Sequence, residues 1–229
     1  ELHLDPVEVR RINMLKSEDY PYRMATGEVL EDITPRETME TVLKAIGYED
    51  FRRRQAEDWA HSVYRGLGLC VVVEPTTYGS AFYKSAGIPG SGHESAWVRI
   101  EPSGAVNASV GLMGTGQGYE TPLSQAVAEG LGVDPAQVTL HLGNTDIAPY
   151  GMGSRGARGG PAGGSTLYLA ARDAQTKVLA IAANMLNLNT ADKLRLVDGR
   201  VERQTGGKWD DVDLTLTDVA RQAYLDPTN

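Results

Sequence analysis

Residues 111–133 read GLMGTGQGYETPLSQAVAEGLGV, and how this stretch is parsed decides the fold. Its first half sets glycines around a single functional side chain, Gln117. Its second half, from Tyr119 onward, has the composition of a helix. Just upstream, AVNASVGL (105–112) reads as a strand, so the stretch is a strand, a glycine-rich loop and a helix in succession. Backbone amides at such a loop, together with the positive end of the helix, suit an anion. The loop is no nucleotide-triphosphate loop, because no Lys-Ser/Thr follows its glycines. It is no dinucleotide-binding loop either, because the third glycine of that pattern falls on Thr121.

Working outward, ESAWVRIEP (94–102) and AVNASVGL form a predicted hairpin around the turn PSG, and VTLHLG (138–143) is a further strand. A second glycine-rich stretch, GNTDIAPYGMGSRGARGGPAGGS (143–165), again lies between a predicted strand and a predicted helix. Two loops in the same context suggest a ligand held from two sides. Their amides suit phosphate oxygens, Ser154 offers a hydroxyl, Arg155 a bidentate donor, and Gln117 both a donor and an acceptor. On position alone, Arg155 and Arg158 read equally as ligand contacts or as solvated loop charges.

The long segment 161–187 predicts a well-buried helix with Leu167, Leu169, Ala170, Val178, Ile181 and Leu186 on its apolar surface. KLRLVDGRVE (193–202) predicts a hairpin with an Asp-Gly turn, and TLTDVARQAY (215–224) a closing helix capped by Thr217 or a neighbour. Toward the N-terminus, Leu4, Val7, Ile12 and Leu15 share one helical face. TPRETMETVLKAIG (34–47) predicts a helix with Thr34 as N-cap, Pro35 at its first position and Gly47 as its stop, and another helix runs from Tyr48 to about His61. From Gly66 the period changes, and GLGLCVVVE (66–74) predicts a buried strand in which Cys70 is a small buried hydrophobe. Strands and helices do not alternate strictly, so the expected class is α+β, with a helical segment over 1–65 continuing from a preceding domain and a partial α+β domain over 66–229.

Composition narrows the function classes. The 229 residues include 30 acidic and 22 basic side chains, a net charge of −8, and the densest basic cluster, Arg52-Arg53-Arg54, is flanked by Glu49, Asp50 and Glu57. This argues against a nucleic-acid partner or an anionic membrane surface. One cysteine builds no disulfide framework, which suits a cytoplasmic location; no apolar segment reaches spanning length, and the N-terminal residues lack the features of a signal peptide. His3, His61, His93 and His141 have no metal-site spacing. Glu74, Glu94 and Glu120 lie near the glycine loops and read as solvated carboxylates.

PTTYGSAF (75–82), ESAWVRIEPSGAV (94–106), GTGQGYETPLSQAVAEGLGV (114–133) and GSRGARGG (153–160), in this order and spacing, resemble the large, molybdenum-binding subunit of the xanthine dehydrogenase family, which includes aldehyde oxidoreductases and aerobic carbon monoxide dehydrogenases. LDPVEVRRINML (4–15) resembles a helix that closes an earlier block of those subunits. The resemblance implies a molybdopterin-binding domain that takes molybdopterin, or its cytosine dinucleotide, carrying molybdenum. It places Thr115, Gly116, Gln117 and Gly118 at the pterin and metal end. Gly153, Ser154, Arg155 and Gly156 would lie along the dithiolene, phosphate or nucleotide portion, and Tyr78 and Phe82 beside the substrate channel. The metal is held by the pterin sulfurs, so no protein metal ligand is expected.

The resemblance further implies an oxidoreductase acting on a small aldehyde, heterocycle or carbon monoxide with water-derived oxygen, partnered by iron–sulfur and flavin subunits or domains in a dimeric assembly. Such subunits are several times longer than this chain. Their general-base glutamate and an earlier cofactor segment have no counterpart among these residues, which implies a piece of the subunit that is inactive and empty of cofactor by itself. Read without the resemblance, the same loops also suit a stand-alone phosphate- or nucleotide-binding protein, or an assembly module without redox activity.

Overall fold

Proline and glycine punctuate the N-terminal third into short helices. The structure, a computed structural model, describes residues 3–226 except Thr26, Glu28, Pro75 and Ala86. It divides into two compact units, Glu1–Val73 and Glu74–Asn229.

In the first unit, helix α1 (Pro6–Asn13) starts where the Asp5 carboxylate accepts the Val7 amide at 2.7 Å, with Pro6 at the first position. After a two-residue ribbon, β1 (Tyr22–Arg23) with β2 (Val29–Leu30), come α2 (Pro35–Ile46) and α3 (Tyr48–Ala60). Gly47, at φ +67°, ends α2 and turns the chain into α3, as a left-handed glycine stop should. Thr34 stands at the N-cap of α2 without a side-chain capping bond. Val7, Met39, Leu43 and Tyr48 make a small core, and the Tyr48 hydroxyl ties α3 to α1 by donating to Asp5 at 2.9 Å.

The 66–73 run departs from its expectation. Among the described residues it pairs with no strand. Leu67, Leu69 and Val71 pack against the helical core, while Cys70, Val72 and Val73 are exposed. Only one side of the run is covered, so the apolar side chains between the packed ones face outward and Cys70 is not a core residue. The run is fastened by Arg10, which donates to the Leu69 carbonyl, and by Gln55, which donates to Arg65 O at 2.6 Å.

The second unit begins with the short helix α4 (Ser80–Ser85). Strands β3 (Ala96–Ile100) and β4 (Val106–Val110) then form the expected antiparallel hairpin, closed by Gly104 at φ +84°. Helix α5 (Glu120–Leu131) crosses over and returns the chain to β5 (Val138–His141), parallel to β4, giving the order β3-β4-β5. β4 is the central strand; its Val106, Ala108 and Val110 are fully buried under α5 and the long α6 (Ser165–Met185).

A second sheet, β6 (Leu194–Val197), β7 (Arg200–Thr205) and β8 (Lys208–Thr215), is an antiparallel meander in which the Asp-Gly turn falls as expected. Strand β8, KWDDVDLT, lacks the apolar alternation that marks a strand in sequence. Its charges are tolerated because it is an edge strand with half its residues in water. α7 (Leu216–Leu225) is capped by Thr215, whose hydroxyl accepts the Asp218 amide while Asp218 reaches back to Thr215 N. On α6, Leu167 and Val178 are buried, but Leu169 is 62% exposed, because it falls on the side of the helix away from the core. Mixed and antiparallel sheets packed with helices make the unit α+β, as the strand order implied.

Candidate functional site

Parallel neighbours present their carboxyl ends on the same edge of a sheet, and the loops that leave those ends meet there. Here the neighbours are β4 and β5, and the loops are the two glycine-rich stretches, 111–119 leading to α5 and 142–158 leading to α6. Between the second loop and α6 the chain makes a π-helical turn, Gly159–Gly164.

The loops are fastened to each other directly. Ser154 Oγ donates to Met113 O at 2.7 Å and accepts from Met113 N at 3.3 Å, and Gly143 N donates to Leu112 O at 3.3 Å. The fit depends on missing side chains. A Cβ at Gly163 would overlap Leu112 Cδ1, and one at Gly159 would overlap the Tyr119 ring. At Gly111 a Cβ would come within 2.7 Å of Gly151 Cα. A recess of about 390 Å³ lies between the loops, bordered by Met113, Asn144, Tyr150 and Gly153 among others.

At the base of the loops sits an ion pair that corrects the reading of two residues. Arg158 and Glu94 are not solvated. Their side chains are 1% and 2% exposed, with Arg158 Nη1 at 2.7 Å from Glu94 Oε2. The same guanidinium donates to Gly153 O at 3.0 Å, Gly92 O at 3.0 Å and His93 O at 2.9 Å. One fork thus joins the segment before β3 to the second loop. Neither residue carries a local signal for this role: they are 64 positions apart, and each looks like an ordinary charge among polar neighbours.

The other site candidates distribute as follows. Gln117 is exposed, and its Oε1 accepts from the Thr115 amide at 2.5 Å and the Thr115 hydroxyl at 3.2 Å. That bond curls the tip, and Gly116 and Gly118 take φ +100° and +73°, backbone that a side chain would oppose. Gln117 makes no hydrogen bond to the second loop among the described residues, so Ser154 joins the two loops while Gln117 stays at the tip of the first.

In the second loop, Gly153 and Gly156 are also left-handed, at +72° and +52°. Arg155 is exposed, with its guanidinium 4.9 Å from the centre of the Tyr83 ring. Tyr78 and Phe82 stack at 4.1 Å, and a Cβ on Gly156 would come within 3.0 Å of the Tyr78 ring. The aromatic pair therefore stands against the second loop.

The donor set fits a polar, phosphate-bearing group. Among the described residues, the amides of Gly114, Gly116, Gln117 and Gly118 and those of residues 151–157 donate to no protein acceptor. Among the described residues, two buried donors beside the second loop, Thr77 Oγ1 and Arg158 Nε, also have no partner. At Gly116, Gly118 and Gly153 nothing lies within 4 Å of an added Cβ, so the backbone there is uncovered and suits ligand oxygens. Among the described residues no group of three or more His, Cys, Asp or Glu could hold a metal ion. No helix among them is long and apolar enough to cross a membrane.

Comparison with known proteins agrees with this chemistry. The family model described as a molybdopterin cofactor-binding domain matches residues 41–229. The carbon monoxide dehydrogenase large chain of Hydrogenophaga pseudoflava is 32% identical over 99% of this chain, and the nicotine 6-hydroxylase large subunit of Paenarthrobacter nicotinovorans is 30% identical over 87% of it. The crystal structure of quinoline 2-oxidoreductase from Pseudomonas putida 86 matches 99% of this chain with a TM-score of 0.73 and 32% identity. The chain spans only 28%, 24% and 28% of these three proteins' chains. Both relatives are named as one chain or subunit of a larger enzyme.

Proposed function

The chain belongs to the molybdopterin cofactor-binding domain family, whose relatives here are large subunits of molybdenum hydroxylases, and from that premise we propose that the loops at the ends of β4 and β5 form one wall of the cofactor cradle. The observation that carries this reading is the pair of loops clamped by Ser154 and Met113 and lined with amides that have no protein acceptor.

In this reading Gly116, Gln117 and Gly118, with Thr115, meet the pterin end. Gly153, Ser154, Arg155 and Gly156 meet the phosphate or nucleotide portion, with Arg155 supplying the cation and the backbone supplying neutral donors. The cofactor, when bound, supplies the two-electron oxidation of a substrate carbon with oxygen from water. The chain's own residues hold and orient it. Glu94, the most buried carboxylate beside the loops, is committed to Arg158. Tyr78 and Phe82 present a stacked aromatic face on which a small, flat or apolar substrate is guided. A small aldehyde, a heterocycle or carbon monoxide fits this description. The parent assembly passes electrons to iron–sulfur and flavin partners, is dimeric, and resides in the cytoplasm.

The test is compositional. The natural full-length protein should contain close to one molybdenum per polypeptide by elemental analysis and release a pterin and a cytidine nucleotide on acid treatment. A protein without molybdenum that instead retains a free nucleotide is a nucleotide-binding protein, and the reading fails.

A further inference from the structure

We propose that Glu94 and Arg158 are a positioning pair that sets the spacing of the two cofactor-facing loops, so that their loss releases the cofactor without unfolding the domain; this rests on the cradle reading above.

The geometry of the pair is directed at the loops. Arg158 makes four hydrogen bonds to two segments: to the Glu94 carboxylate, Gly92 O and His93 O in the segment leading to β3, and to Gly153 O in the second loop. The Glu94 carboxylate in turn lies against the backbone where both loops begin to separate. A Cβ added at Gly151 would come within 2.7 Å of its Cδ and 3.0 Å of its Oε2, and one at Gly111 would overlap its Oε1. Gly111 opens the first loop directly after β4, and Gly151 opens the second loop's acceptor-free run of amides. A single carboxylate therefore stands between the two loops, and a single guanidinium holds it there.

A buried ion pair is weak evidence for stability, since apolar residues of similar volume are often as good or better. Its planar fork does fix geometry, and fixed geometry is what a ligand wall needs. Arg158 Nε, buried and without an acceptor, shows that the group is not optimised for internal satisfaction alone. Residues that orient a ligand's direct contacts typically change affinity roughly 10- to 100-fold when removed.

The experiment uses the natural full-length protein with the double substitution Glu94→Leu/Arg158→Met, and with Arg158→Lys as the variant that keeps the charge and loses the fork. The readouts are cooperative unfolding, pterin release by fluorescence after dilution, and hydrogen exchange of β4 and of the hydrogen-bonded loop amides Gly111, Met113, Gly143 and Arg158. The expected result is an unfolding transition like that of the wild type, pterin release faster by about 10- to 100-fold, and faster exchange in both loops together with β4 unchanged. Arg158→Lys should show the same loop exchange and an intermediate release rate.

Wild-type release and loop exchange in the double variant would overturn the proposal. So would pterin loss that only tracks the unfolded fraction, or exchange that rises in β4 as much as in the loops. If the double variant does not fold, Arg158→Lys decides by the same criteria. If the wild type holds no pterin, the cradle reading fails, and loop exchange alone then decides whether the pair sets the spacing.

Discussion

Gly159 and Gly160 are consecutive residues of one π-helical turn, yet alanine should have opposite effects at the two. At Gly160 nothing lies within 4 Å of an added Cβ, so Gly160→Ala gains helix propensity and should be neutral or stabilising by up to about 1 kcal/mol. At Gly159 the same Cβ would overlap three atoms of the Tyr119 ring, the hydroxyl, Cζ and Cε1. A ring packed on the core is not the loose end of a flexible side chain, so it must swing out or the π turn must shift. Overpacking of this kind costs about 1–3 kcal/mol, and three overlapping atoms place it near the top of that range. With the propensity gain of about 1 kcal/mol set against it, Gly159→Ala should lose about 2 kcal/mol, or roughly 4–8 °C in Tm for a domain of this size.

The assay is urea unfolding of Gly159→Ala, Gly160→Ala, Tyr119→Ala and the double variant Tyr119→Ala/Gly159→Ala. If the ring is the cause, Gly159→Ala becomes neutral or stabilising by up to about 1 kcal/mol in the Tyr119→Ala background, a coupling of about 2–3 kcal/mol. Additive costs, or equal effects at Gly159 and Gly160, would refute the claim that the two glycine loops seat on each other through Tyr119.

Further outcomes follow from other contacts. Ser154→Ala removes both bonds to Met113 at a part-exposed position and should cost about 0.5–1.5 kcal/mol by chemical denaturation, with faster amide exchange at Met113. Gln117→Ala touches only the loop tip, so stability should stay within about 0.5 kcal/mol, while pterin content of the full-length protein falls; full content would remove Gln117 from the cradle. Leu112→Ala empties a buried site between β4 and the π turn and should cost about 2–5 kcal/mol in the same denaturation assay. Bonds from the Thr215 hydroxyl and amide hold the Asp218 carboxyl below the usual carboxylate range. Its stabilising effect is therefore present above the ordinary carboxylate pKa and lost as pH falls through the lower folded value. Asp218→Asn should cost about 1 kcal/mol at pH 7, and the gap to wild type should close in acid titrations of stability.

Local rules located the elements where the pattern and the end signals agreed. The Val106, Ala108, Val110 alternation, the Gly47 stop and the Asp-Gly turn each express an interaction made within a few residues, so a linear reading captures them. β8 carries no linear signal, because its charges contradict strand propensity and only pairing with β7 offsets that. The 66–73 run differs from a buried strand because an apolar run does not say how many of its faces will be covered.

The site divides the same way. That glycine would expose two strings of amides, one ahead of each helix, follows from the residues in order, as does Gln117 as the polar group among them. That the two loops share one edge of a sheet depends on β4 and β5 being parallel neighbours, which the α5 crossover decides. That Glu94 and Arg158 form a buried pair at the base of the loops, rather than two solvated charges, depends on burial. A charge leaves water only where the fold delivers a partner and enough acceptors, and here those come from residues up to 66 positions away.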